Sequence, residues 1–89
     1  MTTKINASTA GLTETIDTSG ILEFQTANTS AIVIDTSQNA NFTSTGAIII
    51  PVGTTAQRPT GVNGMMRYNS NTSKIEVFVA NAWANLATA

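Results

Sequence analysis

Ile16-Asp17-Thr18-Ser19 is followed by Phe24, and Ile34-Asp35-Thr36-Ser37 is followed in the same way by Phe42. The offset of 18 residues (34 − 16) extends weakly to Val52-Gly53-Thr54-Thr55, where Thr60 stands in place of a third Phe. A short strand-turn unit repeated along a chain reads as a stack of β-rungs. Two or three rungs cannot enclose a core, and each leaves strand edges unpaired. The repeat therefore predicts several identical chains wound about a shared axis, a cyclic homo-oligomer made by one sequence.

Composition agrees with β-structure. Charged residues are only 10% of the 89 residues, against about 25% in ordinary domains, while apolar content is an ordinary 42%. Thr, Ser and Asn take the place of the missing charge, and branched side chains pack well on a pleated surface. Disordered chains combine high charge with few apolar residues, so disorder is not expected. A single domain of this size buries little surface, and oligomerisation commonly completes such a core.

The same numbers exclude several classes. Lys4, Arg58, Arg67 and Lys74 are scattered and the net charge is −1, whereas a nucleic-acid partner needs a clustered basic face. There is no Cys and no His, which removes thiolate chemistry, disulfides and the commonest general base. The opening residues lack the apolar stretch of a signal peptide, and the longest apolar run, Ala47–Ile50, is too short for a membrane span. A soluble protein made in a cytoplasm is expected, with no membrane partner.

Along the chain, residues 1–20 read as an extended attachment arm, residues 21–52 as a β-stalk and residues 53–89 as a cap. "ILEFQT", "AIVID" and "AIIIPV" are expected strands separated by turns at 18–20, 27–30 and 36–41. After the loop-like "GTTAQRPTGVNG", the runs "MMRYN", "KIEVFV" and Trp83–Leu86 predict a three-stranded meander. Within it, Ile75, Val77 and Val79 face one side, and Lys74, Glu76 and Phe78 the other. Asn81 suits a left-handed turn. The fold class is thus all-β: an intertwined β-stalk shared by several identical chains, homotrimeric by the resemblance described below, with a small three-stranded β-meander cap. Phe24, Ile32, Ile34, Phe42, Ile48, Ile50, Val77, Val79 and Trp83 are the expected core and trimer-interface residues.

No residue set supports a reaction. Asp17 and Asp35 occupy equivalent positions beside turns, where Asp ordinarily bonds its own backbone. "DTSQNA" lacks the glycine and the glutamate of a calcium loop, so no metal, cofactor or catalytic residues are assigned. A cation on a trimer axis, held by symmetry-related Asp side chains, is the remaining metal reading. Sequons at Asn6, Asn28, Asn41 and Asn71 are read as chance in a chain rich in Asn, Ser and Thr. Arg58 and Arg67 are expected to pair with Glu76 or to cap carbonyls, as a solvated or interface salt bridge.

The stretch Pro51–Leu86, "PVGTTAQRPTGVNGMMRYNSNTSKIEVFVANAWANL", resembles the C-terminal module of fibre and appendage proteins of tailed bacteriophages. The residues that carry the resemblance are Gly53, Thr54, Thr55, Arg58, Pro59, Gly64, Arg67, Tyr68, Asn69, Glu76 and Trp83. Upstream, "LEFQTANTSAIVIDTSQNANFTSTGAIIIP" is similar to the stalk repeats that precede that module, and "INASTAGLTETIDTSGILEFQT" looks like structural proteins of marine and cyanobacterial phages. The chain departs from the module in having Ala80-Asn81 where many relatives have a glycine in the last turn. The resemblance implies a homotrimer on the virion, assembled in the host cytoplasm, with no catalysis and with the matched residues in structural roles. The arm would bind other capsid or tail proteins. Because residues 16–52 are too few to make a long fibre, a compact knob or head decoration is expected rather than a reaching tail fibre. The alternative is a receptor-binding tip for host-surface glycans, using Tyr68, Phe78 and Trp83.

Overall fold

In both halves of the chain, alternating apolar and polar residues become strands with two unlike faces. The computed structural model describes residues 2–87, so the outermost residues of the expected arm and cap, 1 and 88–89, lie outside the described residues. The chain divides into two units, Met1–Ile48 and Ile49–Ala89. It is all-β, with no α-helix among the described residues.

The first unit is a single five-stranded sheet. Its strands are β1 (Thr3–Ser8), β2 (Gly11–Thr15), β3 (Leu22–Thr26), β4 (Thr29–Ile34) and β5 (Ala40–Phe42), in the order β2-β1-β3-β4-β5. β1 and β3 are parallel, and the other neighbours are antiparallel. Residues 3–15, expected as an extended arm, instead form the β1–β2 hairpin. β1 pairs through its backbone on both edges, with β2 and β3, and its buried side chain is the polar Asn6.

Register explains the repeat. Phe24 and Phe42 both pair with Ile32, one from each side, and Ile5 pairs with Phe24. The two Phe residues of the repeat thus flank one Ile in a single apolar row. The repeat is local, however, and not a stack of rungs: β4 and β5 are adjacent, whereas β2 and β3 are separated by β1. Ile5, Leu22, Phe24, Ile32, Ile34 and Phe42 share one face, and Asn6, Thr13, Gln25 and Ser30 form a row on the other. On the polar face the amide of Gln25 donates to Ser30 Oγ at 3.1 Å, a cross-strand bond of the kind that supports sheets.

The second unit is a four-stranded sheet of β6 (Val52–Gly53), β7 (Met66–Asn69), β8 (Lys74–Val79) and β9 (Ala82–Asn85), in chain order. β7, β8 and β9 are the expected meander. The addition is β6, which pairs in parallel with the end of β7. Of the expected strand over "AIIIPV" only Val52 lies in a strand, β6, which Gly53 completes; Pro51, with no N–H to donate, precedes it and accepts the Tyr68 N–H at 2.8 Å. A short 3-10 turn, Thr55–Gln57, follows β6.

Among the described residues no apolar side chain is buried, and the buried side chains are Asn6, Arg67, Asn69 and Glu76. A chain with 42% apolar residues has thus enclosed polar groups and left its hydrophobic ones part-exposed.

Candidate functional site

Glu76 is the hub of the second unit, 1% exposed at the centre of β8. Its cross-strand partner Arg67 donates from Nη1 to Oε1 at 2.8 Å. Arg58, on the loop that crosses this face, donates from Nε to Oε1 at 3.2 Å and pairs with Oε2 through Nη2. Asn69 donates to Oε2 at 3.1 Å. The carboxylate therefore has both oxygens doubly bonded, which is what burial of a charge requires. The hydrogen bond from Arg58 leads these partners in holding the Glu76 carboxyl down to about 2, against the opposing effect of burial. Arg58 and Arg67 both pair with Glu76, one of the alternatives expected from their positions near turns, but around a carboxylate that is buried and not solvated.

The network also fastens the loop. Arg67 Nη2 donates to the Thr54 carbonyl at 3.0 Å, and Asn69 Nδ2 donates to Thr55 Oγ1 at 2.9 Å. Asn71 Oδ1 accepts the Thr55 N–H at 2.9 Å. Gly53 is required by close approach, since a Cβ there would stand 2.6 Å from Arg67 Nη2. At Gly61 a Cβ would stand 2.0 Å from the Phe78 ring. Phe78 meets its cross-strand partner Trp83 edge-on, with centroids 5.2 Å apart, and the Arg58 guanidinium lies 5.6 Å from the Trp83 ring centroid. Gly64 adopts φ +100°, a region that favours glycine.

The structure therefore brings Gly53, Arg58, Arg67, Asn69, Glu76 and Trp83 together on one side of the sheet. Tyr68 lies on the other side with Met66, Ile75, Val77 and Val79, as the cross-strand pairs Tyr68–Ile75 and Met66–Val77 require. The aromatics proposed for a glycan surface, Tyr68, Phe78 and Trp83, do not form one patch. Pro59 lines a groove of about 530 Å³ with Pro51, Val52, Met65, Met66 and Trp83, where β6 stops short of the start of β7.

Of the expected interface residues, Phe24, Ile32, Ile34 and Phe42 lie on the apolar face of the first sheet, with Phe42 53% exposed. Val77 and Val79 lie on the open face of the second, and Trp83 on its covered face. Ile48 and Ile50 fall outside the strands. Ile49 between them, not singled out from the sequence, is the most exposed of the large apolar residues at 92%.

Both repeat aspartates hold turns. Asp17 Oδ1 accepts from the Ser19 N–H at 3.1 Å, and Asp35 Oδ1 from the Ser37 N–H at 2.9 Å. Bonds from Asn39, backbone first, keep the Asp35 carboxyl below its ordinary range. At Asp17 partial burial pushes up, and bonds from Ser19 and Thr3 outweigh it. The sequon residue Asn6 is only 6% exposed.

Comparison with protein-family models, with curated proteins and with solved structures gives no match to this chain.

Proposed function

We propose that the protein is a non-enzymatic structural component of a tailed-phage particle, a homotrimer forming a short knob or a head decoration. The observation that carries the reading is the missing core: no apolar side chain among the described residues is buried, although each sheet has a face lined mostly by apolar residues. A chain that leaves its hydrophobic faces in water gains most by covering them with another chain.

The virion assignment rests on the resemblance of Pro51–Leu86 to phage appendage modules, and the Glu76 network supports it by giving most of the resembling residues one shared structural task. In this reading the protein attaches to other capsid or tail proteins. Light scattering on the purified protein, with dilution, tests the assembly: a stable species near three times 9.3 kDa is expected, and a folded monomer overturns the reading. Immunogold labelling of intact particles tests the location, and particles without label overturn the virion assignment.

A further inference from the structure

We infer that Asn63-Gly64 is a latent site of spontaneous deamidation, held shut in the folded second unit by the hydrogen bonds between Asn63 and Asn81. Asn63 is the only Asn of the chain that is followed by Gly. The reaction needs no enzyme and no co-reactant but water. The Gly64 backbone nitrogen gives up its proton and attacks Asn63 Cγ. A new C–N bond closes a succinimide ring, and the side-chain nitrogen leaves as ammonia. Water then opens the ring at either carbonyl, giving aspartate or isoaspartate.

The surroundings leave this path open to water. Asn63 and Gly64 are both exposed, and a Cβ built on Gly64 would meet nothing within 4 Å. Glycine favours the attack because no side chain shields its nitrogen and its backbone turns freely. Two restraints oppose it. The Asn63 carboxamide is drawn to the β8–β9 turn, where Oδ1 accepts the Asn81 N–H at 2.8 Å and Nδ2 donates to Asn81 Oδ1 at 3.0 Å. The nucleophile is engaged as well, since the Gly64 N–H donates to the Phe78 carbonyl at 2.8 Å.

Asn63 Cγ and the Gly64 nitrogen meet only when both are released, and a local opening of the turn is enough to release them. The change is one-way. Isoaspartate adds a carbon to the main chain at position 63, beside the Gly64–Phe78 and Met65–Val62 bonds, so the product is a chemical record that the turn has opened.

The test incubates the full chain in mildly alkaline buffer, folded and in denaturant, and follows the peptide containing residue 63 by mass spectrometry. Asn6 is the internal control, because it makes the same two bonds with Asn28 but precedes Ala7. Conversion is expected at Asn63 and not at Asn6, and slower in the folded chain by about tenfold or more, the worth of two ordinary hydrogen bonds. Asn81→Gly keeps the left-handed turn and the N–H but removes one bond, and should speed conversion of the folded chain about fivefold. Asn81→Asp keeps an oxygen for Asn63 Nδ2 and should match the wild type. No conversion at Asn63 in denaturant overturns the site. Equal rates in folded and denatured chains, or in Asn81→Gly and wild type, overturn the gate. If Asn81→Gly shifts the Trp83 emission, the wild type at low denaturant decides. Conversion insensitive to denaturant supports the local gate, and conversion that tracks the unfolded fraction overturns it.

Discussion

Asn63 and Asn81 hold each other through two hydrogen bonds: Asn63 Oδ1 accepts the Asn81 N–H at 2.8 Å, and Asn63 Nδ2 donates to Asn81 Oδ1 at 3.0 Å. Asn6 treats Asn28 in the same way, at 3.0 and 2.8 Å. Each held residue is the second of an Ala-Asn pair that turns a hairpin, β3–β4 at Ala27-Asn28 and β8–β9 at Ala80-Asn81. All four residues have positive φ, from 49° to 63°. Two-residue turns of this kind match the twist of the strands, and Asn tolerates them better than Ala does.

Ala80 is therefore strained, and Ala80→Gly is expected to stabilise the second unit by about 1 kcal/mol. Asn63→Ala removes both bonds to Asn81 and is expected to cost about 1 kcal/mol. Thermal unfolding followed by Trp83 emission measures both; an Ala80→Gly melting point at or below the wild-type value would count against strain at this turn.

Arg67 is the buried cation of the Glu76 network. Arg67→Met keeps the bulk and removes the charge, leaving the carboxylate with Arg58 and Asn69 alone. Loss of one partner of a buried ion pair is expected to cost about 3 kcal/mol. Chemical denaturation of the variant checks it. A change within about 0.5 kcal/mol, the range of ordinary surface substitutions, would mean that the network does not hold the unit together.

The acid limb of stability follows from Glu76. Its carboxyl is depressed from about 4.5 to about 2 in the folded unit, so the unfolded chain binds the proton more readily. The stabilisation is complete above about pH 4.5 and is lost as pH falls towards 2. Asp17 and Asp35 are also depressed and act in the same direction on the first unit. A denaturation midpoint measured between pH 7 and pH 2 should be flat and then fall; a Glu76→Gln variant should start lower and fall less. Parallel pH curves for wild type and variant would refute the assignment.

Gly61→Ala places a methyl within the Phe78 ring, so the ring or the loop must move. Overpacking of this kind is expected to cost about 1–3 kcal/mol and to disturb the Phe78–Trp83 contact. Near-ultraviolet circular dichroism of the Trp band should lose intensity in the variant. An unaltered band with unaltered stability would show that the loop does not press on Phe78.

The local patterns were legible because they depend on neighbours along the chain. The period-two alternation in "KIEVFV" sets which residues share a face, and β8 keeps that alternation. The positions of Asp17 and Asp35 before Ser-containing turns specify side-chain-to-backbone bonds within two residues. The left-handed Asn81 is likewise a local preference. The β1–β2 hairpin was missed because "TKINAS" and "GLTET" are short, polar and weakly patterned, and they are held by pairing with each other and with β3. The buried role of Glu76 was missed because its partners come from positions 58, 67 and 69, separated from it by loop and turn.

The sequence by itself determined the β-class, the main turn sites and the two-faced character of the strands it marked. Each of these follows from short-range sterics, side-chain alternation and the balance of apolar to charged residues. Only the tertiary structure decided which face is covered. It put the Glu76 side beneath the Thr54–Gly61 loop and left the isoleucine and valine side open. The physical reason is that a buried carboxylate needs several donors converging from distant positions, and the chain provides them on that side alone.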